Sequence, residues 1–141
     1  MKIRRAIGFA ILTYIASMIV GMIISIAVGL DMASMSNPPL WLCIVSVAGS
    51  SLLCWLFAWL YFRGKKVKKG TLYGLYFGLY IIFTGIILDI VTWTLMFPGG
   101  NSLEGMKQLF QYYAKPYFWA TVVLVIIVSI LTGGYKAKKH K

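Results

Sequence analysis

Asp89 is the one acidic residue inside a long apolar run of this 141-residue chain. An ionised carboxylate in hydrocarbon costs roughly 2.5–3.5 kcal/mol, and more on some scales. A carboxyl placed there serves a proton relay or cation pathway, or it makes a polar contact between helices. Asp89 lies about 12 Å before Phe97 at a rise of about 1.5 Å per residue. It is one turn inward of Trp93, a residue type favoured at membrane interfaces. Counting back from it by threes and fours reaches Gly85, Ile82, Gly78 and Gly74, so it shares a face with small residues. Candidate partners are Thr92 one turn on, Thr84, and the hydroxyls of Thr13, Ser17, Ser25, Thr121 and Ser129. No Lys or Arg lies in an apolar run to neutralise it. Asp89 with Thr92 therefore forms the intramembrane polar candidate. It faces the bundle interior, a water-filled cavity or the headgroup region.

Other chemistry is missing from the pattern. There is no CxxC or HExxH spacing, no Gly-rich phosphate loop and no carboxylate pair. Cys43 and Cys54 are separated by roughly 16 Å of helix, beyond the ~7 Å a disulfide spans. His140 sits in the basic tail Lys138-Lys139-His140-Lys141, and Asp31 and Glu104 have no acid partner nearby. The expectation is a protein that is not an enzyme, with no catalytic residue, metal or cofactor.

The elements that position Asp89 are four apolar runs, about 7–30, 40–62, 71–97 and 117–131. Crossing ~30 Å of hydrocarbon takes about 20 helical residues, and the last run is the shortest. Hydrophobic residues make up 60% of the chain and the mean hydropathy is +0.83, both high for a soluble domain. The spacing predicts an all-α, polytopic membrane protein: one domain over 1–141, four antiparallel spans and a short external helix. The N-terminal run reaches about 24 residues, longer than the ~7–15 of a secretory signal core, so a retained first helix is expected.

Of 14 Lys and Arg residues, only Lys107 and Lys115 fall in the second and fourth connecting segments. Lys2, Arg4 and Arg5, then Arg63, Lys65, Lys66, Lys68 and Lys69, then Lys136, Lys138, Lys139 and Lys141 lie on the other side. Short basic loops stay in the cytoplasm, which predicts cytoplasmic termini and a prokaryotic plasma-membrane location. The net charge of +11 thus points to anionic lipid headgroups, at about 1 kcal/mol per cation, rather than to nucleic acid. The expected headgroup contacts are Arg63, Lys65, Lys66, Lys68 and Lys69.

Small residues recur at spacing four: Ser17, Gly21, Ser25 and Gly29; Ser46, Ser50, Cys54 and Ala58; and Gly70, Gly74 and Gly78, with Gly85 on the same face. Such stripes let membrane helices approach closely. They serve the bundle itself, or a second copy or another membrane protein. Asn37-Pro38-Pro39 reads as a helix start. Residues 102–115, capped by Ser102, place Leu103, Met106, Phe110 and Tyr113 on one face, which predicts an interfacial helix; an irregular loop with exposed tyrosines is the alternative. The architecture resembles that of small four-span proteins of prokaryotic membranes. Two functions follow as expectations. One is a non-enzymatic accessory or structural subunit acting through helix contacts. The other is a small oligomeric transporter or channel with Asp89 coupling to a proton or cation.

Overall fold

The computed structural model describes residues 3–29, 39–63, 69–96 and 102–138. These form five helices: α1 (Ile3–Val28), α2 (Leu40–Phe62), α3 (Gly70–Met96), α4 (Ser102–Tyr113) and α5 (Pro116–Lys138). Helices α1, α2, α3 and α5 are long and apolar enough to cross a membrane. The chain is an all-α, multi-pass membrane protein. Large apolar side chains, such as Ile23, Ile26, Leu52, Phe83, Leu95 and Leu131, point outward, as a lipid-solvated bundle requires.

Helix ends follow local chemistry. Gly29 closes α1 with a positive φ of 66°, so it serves as a left-handed cap and not as a packing residue. Pro39 occupies the cap position of α2 and its carbonyl accepts from the Leu42 and Cys43 amides; Asn37 and Pro38 lie outside the described residues. Pro116 opens α5 after a two-residue turn, since its missing N–H has no partner in a first turn.

The fourth span is longer than 117–131. Helix α5 continues to Lys138, carrying Thr132, Gly133 and Gly134 inside it. In hydrocarbon a glycine pair does not end a helix, because the freed backbone groups would have no water to bond.

Around the bundle the order is α1, α2, α5, α3, with α3 and α5 the most closely packed pair. Gly70 faces Gly133, and Gly74 lies against Ser129 and Ile130. A Cβ on Gly74 would fall 2.8 Å from the Ile130 Cα, and one on Gly78 3.3 Å from the Ile126 Cα. The small-residue stripe of α3 is thus used inside the molecule. The aromatic core sits at the same end: Tyr61 stacks on Phe77 at 4.6 Å, with Phe62, Ala6, Ala58 and Phe9 around them. This end carries the cations Arg4, Arg5, Arg63, Lys69 and Lys136. The opposite, or far, end is looser. There α4 lies across the bundle on α3 and α5.

The far-end helix matches the expected amphipathic segment, with its inner arc shifted. Gly105 and Leu109 are buried, and Met106 and Tyr113 half-buried, whereas Leu103 and Phe110 are exposed. An interfacial helix has two apolar arcs to place, one on the bundle and one in lipid.

Candidate functional site

Three elements converge on Asp89. It projects from the far third of α3. The Tyr14 hydroxyl, from the middle of α1, donates to Asp89 Oδ1 at 2.8 Å. The Tyr113 hydroxyl, from the last residue of α4, donates to Oδ2 at 3.1 Å. Both carboxyl oxygens therefore accept, as those of a carboxylate do. Thr92 is drawn in through Tyr14, its Oγ1 standing 3.4 Å from the phenol oxygen. Hydrogen bonds to a charged group contribute about 1.5–3 kcal/mol each. Two of them offset a membrane insertion cost of similar size.

Of the other hydroxyls expected as partners, Thr13 and Thr121 donate to carbonyls of their own helices, those of Phe9 and Tyr117. Ser129 is buried beside the Cys54 thiol at 3.4 Å. Ser17 and Ser25 line a cavity instead.

That cavity, of about 230 Å³, lies between α1 and α2 at the far end and is roofed by α4. Ser17, Gly21 and Ser25 form one wall and Ser46, Gly49 and Ser50 the facing one. Trp93, Gln108, Gln111, Tyr112 and Tyr117 complete it. Gly21 has nothing within 4 Å of its Cβ position, so the stripe of α1 bounds a space and makes no close helix contact there. A second chamber of about 140 Å³ contains Asp89, Tyr14, Gly85, Thr121 and Phe118 in its lining. Gly85 too has nothing within 4 Å of its Cβ position. Ser17 and Ser50 line both chambers, so the two adjoin there. Among the described residues no lysine or arginine lines either one.

Aromatic rings stiffen the α4–α5 corner. Tyr112 meets Tyr117 at 5.7 Å and Phe118 at 5.6 Å, and Tyr113 meets Phe118 at 4.5 Å. Burial pushes the Tyr112 and Tyr113 phenols well above the ordinary tyrosine value, and the negative charge of Asp89 adds to both shifts. Asp89 is thus felt at a wall of the larger chamber as well as in its own.

At the basic end, Arg63, which caps α2, and Lys136 of α5 lie over the same Trp59 ring, at 5.4 and 4.5 Å. Lys69 opens α3, its carbonyl accepting from the Tyr73 amide. Lys65, Lys66 and Lys68 lie outside the described residues. Among the described residues no cluster of His, Cys, Asp and Glu is suited to a metal ion.

The tyrosines are the residues that sequence reasoning missed. Tyr113 counted towards an apolar face. A tyrosine in mid-span, as Tyr14 is, was the available signal, because its hydroxyl needs a partner in hydrocarbon. Compared with protein-family models, curated proteins and solved structures, the chain matches none.

Proposed function

We propose that the protein is a small transporter-type membrane protein in which the far-end chambers admit a proton or cation to Asp89. The observation that carries this is the placement of the carboxyl. It lines a chamber, it is held by donors from two other helices, and among the described residues no basic side chain lines the space around it. The setting is a prokaryotic plasma membrane with both termini cytoplasmic, because short basic segments flank α1, α2, α3 and α5 at one end. The chambers then open from the outer leaflet, and the aromatic core closes the inner half. Passage requires the inner half to open, or a second copy to complete a path.

The test is infrared difference spectroscopy of the protein in lipid while the perfusing buffer is switched in pH or between sodium and a large impermeant cation. A carboxyl band that responds, and is lost in Asp89→Asn, supports the reading. A silent carboxyl makes Asp89 a packing residue and overturns it.

The second reading is an accessory subunit that seats another chain's helix on α1. The open space at Gly21 favours it. Native mass spectrometry from nanodiscs separates the two: a bound, different membrane protein supports the accessory role, and a homo-oligomer supports the transporter.

A further inference from the structure

We propose that the two adjoining chambers form one binding site for a small organic ammonium ion with a single apolar arm, its charged head directed to Asp89. This rests on Asp89 being the anion of the site and adds the class of cation it takes.

The lining decides between kinds of cation. A sodium or divalent ion needs several oxygen atoms converging at short range. Here both Asp89 oxygens are occupied by phenol hydrogens, and among the described residues Asp89 is the one acid that lines either chamber. An alkylammonium ion spreads its charge over methyl groups and gives up its hydration at lower cost. It needs a nearby negative charge and polarisable walls, with no tight oxygen shell. The smaller chamber supplies both to the head, with Tyr14 and Phe118 beside Asp89, and Trp93, Tyr112 and Tyr117 of the larger one are left for the arm.

The shape sets size and form. Pockets for drug-sized ligands run to ~300–1,000 Å³, so the larger chamber at about 230 Å³ takes one ring or a short chain. Its walls are mixed: serine hydroxyls and the Gln108 and Gln111 amides beside Val20, Ile24, Leu42 and Leu53. An arm of low polarity fits this lining better than a second charge. Among the described residues no lysine or arginine lines either chamber, so an anion finds no positive charge there.

The probe is benzyltrimethylammonium, which has no proton to give to Asp89, so its charge is the only variable. Its neutral carbon isostere, neopentylbenzene, has the same shape. Binding to the full chain in nanodiscs is followed by tryptophan fluorescence and by ligand-observed NMR. The expected result is saturable binding of the cation, at least tenfold tighter than the isostere. Asp89→Asn should abolish that preference. Gly21→Leu fills the larger chamber without touching Asp89, and should weaken both ligands severalfold in a protein of unchanged helical content. Equal binding of cation and isostere, or a cation preference that survives Asp89→Asn, overturns the proposal. If benzyltrimethylammonium does not bind while protons or sodium still change the Asp89 band, the organic-cation class fails and the ion site stands. If neither acts on Asp89, both fall.

Discussion

The Tyr113 hydroxyl ties the last turn of α4 to a charge in α3, so one hydrogen bond adds to the ring contacts that seat the far-end helix. Tyr113→Phe removes a hydrogen bond to a charged group, worth about 1.5–3 kcal/mol. Amide exchange over 102–113 should rise by about one to two tenfold steps in the variant, while α3 and α5 near Gly74 stay protected; equal exchange in both proteins would show that ring packing alone holds α4. Tyr14→Phe removes the donor to the other oxygen and should leave α4 in place, which separates the two bonds. The pH behaviour follows from the same geometry. Burial raises the folded Tyr113 phenol above its unfolded value of 10.0, with Asp89 adding to the shift. The neutral phenol is therefore favoured in the folded state, and this contribution is complete below pH 10.0 and declines only as pH climbs towards the raised value. An ultraviolet titration should show no tyrosinate from Tyr113 while exposed tyrosines ionise, so wild type and Tyr113→Phe should give superimposable curves up to that point.

At the scale of elements, the pair α3 and α5 is held by close backbone approach. Gly74→Leu drives a side chain into the Ser129 carbonyl and Ile130, and overpacking of this kind costs about 1–3 kcal/mol. Gly21→Ala meets open space and should fall within about 0.5 kcal/mol of wild type. Thermal or steric-trap unfolding in bicelles checks the contrast, and equal losses would contradict the packing described here. Much of the fold was legible in residues: four apolar runs, the α2 boundaries at Leu40 and Phe62, and the Gly74–Gly78 face. Two elements were less so. Gly133 is the partner of Gly70, yet Thr132-Gly133-Gly134 reads as a stop by the rules of water, where a broken helix can be hydrated. The stripes of α1 and α3 look alike in sequence, Gly21 beside Ser17 and Ser25, Gly78 beside Gly74. Only the tertiary arrangement makes one a contact and the other a cavity wall. Asp89 was legible as a site because of its burial cost; its tyrosine partners were not, since contacts across 75 and 24 residues leave no periodic trace.

For the whole molecule, charge and packing divide along the same axis. The basic end carries Arg63 and Lys136 on Trp59, and we propose that it meets anionic headgroups, where a cation contributes about 1 kcal/mol. Replacing both by Gln should reduce the anionic lipid retained in native mass spectra, and raised salt should lower it further in wild type. Unchanged lipid retention would assign the charge to orientation alone. The close glycine contact of α3 with α5 also has a mechanical consequence. A bundle pinned by glycines at one end and spaced by chambers at the other is stiff in one leaflet and compliant in the other. Its easiest deformation is a splaying of the far ends about the Gly70–Gly133 pivot. Acyl chains pressing on α1 and α2 do work on the chamber volume, so lateral pressure in that leaflet becomes a variable of the site, as pH and concentration are.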